Sequence, residues 1–227
     1  MTFPGFASIT HPQALLFDLD GTLVDTADDL GAALNFVLAQ HQMPLCTAEQ
    51  YRPVASHGAK GLLELGFGNE LSRFDFFELR SMLLQFYATH ICDHSRLFTG
   101  GKELITTLNN RHIPWGIVTN KPYKLAASML RQLPELAGCG ILLGGDSLGV
   151  RKPDPTPLLM AAHQLNVPAR QCWYVGDAER DIEAGRRAGM TTVLAGFGYI
   201  GACDKPELWQ ADLRIEQLNE LINFLPG

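Results

Sequence analysis

Two aspartates two positions apart, Asp18 and Asp20, follow the apolar run 14–17 and precede Gly21-Thr22. A short apolar run closed by a glycine turn predicts a buried strand. In an open α/β sheet, ligands bind outside the carboxyl ends of the strands. Carboxylates this close repel, and the pair is costly unless a cation or a shared proton offsets the charge. Mg²⁺, which takes hard oxygen ligands, would meet that need. An ordinary Asp/Gly turn has the same composition, so the pair requires support from elsewhere in the chain.

Three further strand ends supply it. They carry Thr119 with Asn120, then Lys152 in the loop Arg151-Lys152-Pro153-Asp154, then Asp177 and Asp181. Singly, each has a plainer reading. A threonine ends many strands, a lysine is usually a solvated charge, and Asp181 could simply complement a helix dipole. Together, on one edge of a parallel sheet, they match what phosphoryl transfer requires: an in-line nucleophile, charge neutralisation and a proton donor. Asp18 would attack phosphorus. Asp20 would protonate the leaving alkoxide and then deprotonate the water that opens the aspartyl-phosphate. Thr119 would donate a hydrogen bond to a phosphoryl oxygen. Lys152 would supply a positive charge whose value rises in a site closed to water. Asp177 would complete a Mg²⁺ site with Asp18 and a backbone oxygen.

The stretch Asp18-Leu19-Asp20-Gly21-Thr22-Leu23-Val24-Asp25 resembles motif one of the haloacid dehalogenase superfamily. Thr119 is similar to its motif two, Lys152 in Arg-Lys-Pro-Asp-Pro to motif three, and Gly176-Asp177-x-x-x-Asp181 to motif four, so the resemblance spans Leu15 to about Gly201. It implies Asp18 as nucleophile and Asp20 as general acid/base. Members that cleave carbon–halogen bonds lack the second aspartate, so its presence implies phosphoryl transfer. The resemblance further implies Mg²⁺ held by the Asp18 carboxylate, the Asp20 backbone carbonyl and the Asp177 carboxylate, with Asp181 in support. Gly21 and Asn120 would lie beside the phosphoryl group. Within the superfamily the chain looks like the phosphoglycolate phosphatases and their relatives, the N-acetylmuramic acid 6-phosphate phosphatases of cell-wall recycling. A phosphosugar mutase shares the four motifs, and a silent binding module is the non-enzyme alternative.

These residues need an α/β scaffold. Strands are expected at 114–119, 141–143, 172–175 and 192–195, with an edge strand at 212–215. Helices are expected at 27–40, 102–110, 123–133, 157–165, 181–188 and 217–224, with Thr26 as a cap of the first and Gly189 stopping the fifth. Such alternation predicts a doubly wound parallel sheet. Between motifs one and two lies a segment far longer than a crossover needs, rich in helical signals such as 71–91. It predicts a small helical cap domain over 26–95, inserted into a core of 1–25 and 96–227. Its polar segment 54–61 is expected to be a turn between helices. If the cap covers the site, His57 and Lys60 are its candidates for meeting substrate. Caps of this class close over small, diffusible phosphomonoesters.

Composition narrows the remaining classes. A net charge of −6 with no basic run argues against a nucleic-acid partner. The 5 cysteines are scattered without a C-x-x-C pair, which predicts reduced thiols. Residues 1–13 read as a loose lead-in without the features of a signal peptide, and no segment has the length of a membrane span, so a cytoplasmic location is expected. Gly196-Phe197-Gly198-Tyr199-Ile200-Gly201 matches G-x-G-x-x-G but opens no clean helix, and is set aside as a dinucleotide site. Oligomeric state is not encoded in any feature of the sequence.

Overall fold

The computed structural model describes residues 11–226, so positions 1–10 of the expected lead-in lie outside the described residues. Strand β1 (Ala14–Phe17) forms where its apolar run predicts. Leu15 and Phe17 enter one buried cluster while Ala14 and Leu16 enter another. A strand covered on both faces reads as a continuous apolar run rather than an alternating one. The two-residue strand β2 (Val24–Asp25) follows and leads into the helical insert.

The insert comprises α1 (Ala27–Gln40), α2 (Ala48–Tyr51), a 3₁₀ segment (Arg52–His57), α3 (Gly58–Phe67), a second 3₁₀ segment (Gly68–Arg73) and α4 (Phe76–Thr89). The chain returns through β3 (Arg96–Leu97), antiparallel to β2. Then come α5 (Gly101–Asn110), β4 (Trp115–Val118), α6 (Tyr123–Gln132), β5 (Leu142–Leu143), α7 (Thr156–Gln164), β6 (Cys172–Gly176), α8 (Glu179–Arg187), β7 (Thr191–Ala195) and β8 (Leu213–Ile215). Six strands form one parallel sheet in the order β5-β4-β1-β6-β7-β8, with Leu16 facing Gly116 on one side and Tyr174 on the other. The motif-bearing strands β4, β1 and β6 are therefore neighbours at its centre. Gly189, at φ +71°, follows α8 as the expected stop.

One apolar cluster runs from Leu15 and Phe17 on the sheet through Leu34 and Leu38 of α1 to Leu62, Leu83 and Tyr87 of the insert. Burial of that shared face is what holds the insert against the sheet. At the neck, the buried Asp29 carboxylate accepts from the backbone N–H groups of His94 (2.9 Å) and Ser95 (2.9 Å) and from Ser95 Oγ (2.6 Å). The outgoing and returning crossings are thus clasped by one side chain. Among the described residues no helix is long and apolar enough to cross a membrane.

Three local expectations need correction. Segment 54–61 is not a turn: it is 3₁₀ up to His57 and α-helical from Gly58, whose φ of +63° makes the break between the two. Burial of Leu62 and Leu63 draws the polar segment into the helix that carries them. The closing segment is a 3₁₀ helix (Leu218–Phe224) rather than an α-helix, in keeping with the three-residue spacing of its buried Leu218 and Leu221. The Thr26 side chain does not cap α1, because its Oγ1 donates to Asp20 Oδ1 (2.7 Å). The Tyr199 phenol takes over the N-terminus, accepting from the N–H groups of Thr26 (2.6 Å) and Ala27 (2.9 Å) and donating to Asp25 Oδ1 (2.8 Å).

Candidate active site

Asp18 directly follows β1, and its N–H continues the ladder to Val175 O (2.9 Å). The carboxylate therefore leaves the sheet at the carboxyl edge. Lys152 Nζ lies 2.9 Å from Asp18 Oδ1 and 2.7 Å from Asp181 Oδ1, and donates to Tyr174 Oη (2.7 Å). The lysine side chain is 1% exposed, so this ammonium is held by partners rather than by water. The Asn120 amide fixes its loop, with Nδ2 donating to Lys152 O (3.0 Å) and Oδ1 accepting from Lys152 N–H (3.1 Å). Burial pushes the Asp18 carboxyl up, but Lys152, Arg180 and the Leu19 N–H outweigh it and leave the group below its ordinary range. Asp18 is thus ionised, as a nucleophile must be.

Asp177, after β6, is equally buried and meets the opposite balance. Burial, then the charges of Asp181 and Asp18, push its carboxyl up to about 7. It accepts from Thr22 Oγ1 (3.1 Å), Ser56 Oγ (2.8 Å) and the Tyr199 N–H (2.9 Å). Oxygens of Asp18, Asp177 and Asp181 all lie within 4.8 Å of one another. An all-oxygen set in which burial and then mutual repulsion lift one member this far suits a hard divalent cation. Asp181 also closes the first turn of its own helix by accepting from the Ala178 N–H (3.0 Å). Gly21, at φ +83°, has its missing side chain aimed at Asp177 Oδ2, so any Cβ there would strike the carboxylate. A Cβ at Gly198 would likewise strike the Asp177 side chain, and also the Gly21 carbonyl. The glycine-rich stretch set aside as a dinucleotide site is therefore a wall of this one.

Asp20 lies two residues further on. Its Oδ1 accepts from Thr26 Oγ1 (2.7 Å) and from Lys121 Nζ (2.8 Å). Thr119, at the end of β4, is buried, and its Oγ1 accepts from the Lys121 N–H (3.2 Å). A hydroxyl that accepts in this way keeps its own proton to give to a phosphoryl oxygen.

The strand-end residues are thus brought together, whereas the two insert candidates are placed otherwise. His57 is exposed, and Lys60 is 74% exposed and pairs with Glu64 one turn along α3. The insert reaches the site through Ser56, whose Oγ donates to Asp177 and whose carbonyl accepts from Arg180 Nη2 (2.8 Å). Asn120 braces Lys152 with both ends of its amide. Sequence reasoning passed over Ser56, Arg180 and Lys121, although each adjoins a residue it singled out. Arg180 sits inside the Asp177-x-x-x-Asp181 spacing, and Lys121 follows Asn120.

Comparison with known proteins gives concordant results. The family model for haloacid dehalogenase-like hydrolase matches residues 15–195. A phosphoglycolate phosphatase of Xanthomonas campestris pv. campestris is 44% identical over 210 residues, covering 92% of this chain and 95% of its own. An N-acetylmuramic acid 6-phosphate phosphatase of Pseudomonas aeruginosa is 37% identical over 213 residues, with 94% of each chain covered. The crystal structure of a predicted phosphoglycolate phosphatase from Haemophilus somnus 129PT superposes with a TM-score of 0.85 at 25% identity, covering 95% of this chain and 99% of the other.

Proposed function

The chain belongs to the haloacid dehalogenase-like hydrolases, as a phosphatase, and from that premise we propose that it hydrolyses 2-phosphoglycolate to glycolate and inorganic phosphate through an aspartyl-phosphate on Asp18. The observation that carries the chemistry is the buried Asp18–Lys152 pair at the sheet edge, with Asp20 two residues along the chain. Lys152 keeps Asp18 ionised and, with the Thr119 hydroxyl, neutralises the phosphoryl oxygens as charge develops on them. Asp18 attacks phosphorus in line, and the ester oxygen leaves with a proton from Asp20. Asp20, now a carboxylate, takes a proton from water as that water attacks the aspartyl-phosphate. Phosphate then departs and Asp18 is restored. The Asp18 and Asp177 carboxylates would hold Mg²⁺ with the Asp20 carbonyl, and Asp181 would support them. When bound, the ion would supply positive charge to the phosphoryl group and offset the repulsion between the carboxylates.

The helical insert serves as a cap over the site, with Ser56 among its contact points. Water is kept from the first half-reaction while it is closed. The glycolate assignment leans on the 44% identity to the Xanthomonas enzyme. The 37% identity to the muramic-acid enzyme supports a second reading, in which the leaving group is an amino sugar. Phosphate release measured with 2-phosphoglycolate and N-acetylmuramic acid 6-phosphate side by side, in Mg²⁺, separates them by kcat/KM. The proposal expects the larger value for phosphoglycolate. A larger value for the sugar would transfer the assignment, and phosphoryl return to sugar without net phosphate release would make the protein a mutase. Chelation by EDTA is expected to stop turnover and Mg²⁺ to restore it.

A further inference from the structure

Lys121 stands outside the four motifs, yet its ammonium is buried at the junction of three elements. It follows β4, lies 2.8 Å from Asp20 Oδ1 in the loop after β1, and donates to Tyr87 Oη (2.7 Å) on α4 of the insert. Its side chain is 4% exposed, that of Asp20 is 14% exposed, and Tyr87 is 1% exposed. A buried lysine of this kind costs desolvation energy that its partners must offset. Here they are one carboxylate and one phenol, each from a different part of the chain. Burial, then the nearby Asp20 charge, hold the Tyr87 hydroxyl well above its ordinary range, so it stays a neutral acceptor.

We infer that Lys121 is a positioning residue for the Asp20 proton transfer, and that Tyr87 makes this positioning depend on the insert being seated. The inference rests on Asp20 as the general acid/base. Two donors, Lys121 and Thr26, converge on Asp20 Oδ1. That oxygen is thereby held as the acceptor of the carboxyl group, and the transferable proton is assigned to Oδ2. Without Lys121 only Thr26 holds Oδ1, so the carboxyl group is less firmly oriented and its proton is aimed less well at the leaving oxygen. Tyr87 supplies the only link in this chain of contacts that originates in α4, so lifting the insert would release Lys121 and blur the aim of Asp20. The acid would then be set for reaction only with the substrate enclosed.

Leaving-group dependence tests this, because kcat/KM reports the steps up to formation of the aspartyl-phosphate. An alkoxide needs a proton to leave, whereas p-nitrophenolate needs little help. General-acid contributions are on the order of 10²–10⁴-fold. Lys121→Met is expected to lose at least about tenfold more kcat/KM with 2-phosphoglycolate than with p-nitrophenyl phosphate, and Lys121→Arg to recover part of that difference. Tyr87→Phe, which keeps the buried ring, should shift the ratio in the same direction by a smaller factor. Equal losses on both esters in Lys121→Met, or in Tyr87→Phe should the lysine variant not fold, would overturn the inference. Asp20→Asn is the separate control: if it too loses both esters equally, the acid role of Asp20 itself fails, and with it the reading on which this rests.

Discussion

At the edge of the sheet, charged side chains are buried and bonded to one another. On the outer surface of the insert they are exposed and pair along their own helices. Lys152 and Lys60 mark the two extremes, one 1% exposed between two carboxylates, the other 74% exposed against Glu64. The edge is built on strand ladders that fix where each carboxyl-end residue emerges. The insert touches it through a handful of polar groups: Ser56 on Asp177, Arg180 on Ser56, Arg52 on Asp25 and Tyr87 on Lys121. The difference sets a buried, mutually bonded edge against an insert that meets it through a few polar contacts. Removing one partner from the buried edge is expected to cost more than removing one from the exposed face of the insert.

Variants across this divide should sort by size of effect. Asp18→Asn is expected to abolish phosphate release, a loss of at least about 10⁴-fold, while leaving the circular dichroism spectrum intact; near-normal turnover would remove Asp18 from the mechanism. Lys152→Met strands Asp18 and Asp181 without their buried counter-charge. It should cost about 3–5 kcal/mol in urea denaturation as well as activity. A stability within 1 kcal/mol of the parent protein, roughly the yield of a surface pair, would mean the edge is less tightly built than its geometry implies. At the neck, Asp29→Ala leaves the His94 and Ser95 N–H groups without their acceptor, with an expected cost of about 1–3 kcal/mol. Smallest are the insert variants, read as kcat/KM on the two phosphomonoesters. Ser56→Ala should change the ratio between substrates several-fold, roughly one hydrogen bond's worth. Lys60→Ala should leave both rates and the stability, within about 0.5 kcal/mol, unmoved. A large effect at Lys60 and none at Ser56 would invert the account of how the insert meets the site.

The edge was legible in the sequence because its residues are locked to strand ends, where short apolar runs and glycine turns announce themselves. Asp18, Thr119 and Asp177 directly follow strands and needed the rule that parallel strands share an edge; Lys152, in the loop after β5, and Asp181, on α8, needed the motif resemblance as well. The parallel sheet and the existence of a helical insert followed from the same alternation. What stayed hidden depends on contacts between distant positions. Nothing local in Tyr199 says that its phenol closes the N-terminus of α1, and nothing local says that Ser56 rather than neighbouring His57 meets Asp177. His57 and Lys60 were attractive as charged or titratable residues in a glycine-containing stretch. The burial of Leu62 and Leu63 made that stretch helical and turned Lys60 outward. Gly198 fits a nucleotide motif, but its constraint is the closeness of Asp177.

The clasp at Asp29 carries a consequence for how such chains diversify. Asp25 and Arg96 are paired residues of β2 and β3, so the ends of the insert lie side by side whatever is folded between them. To the sheet, the whole excursion is a short closed loop. Its closure entropy grows only logarithmically with the residues beyond the neck. A lineage could lengthen, shorten or exchange the excursion at little thermodynamic cost to the enzyme beneath it, provided the new piece began and ended at the same stitch.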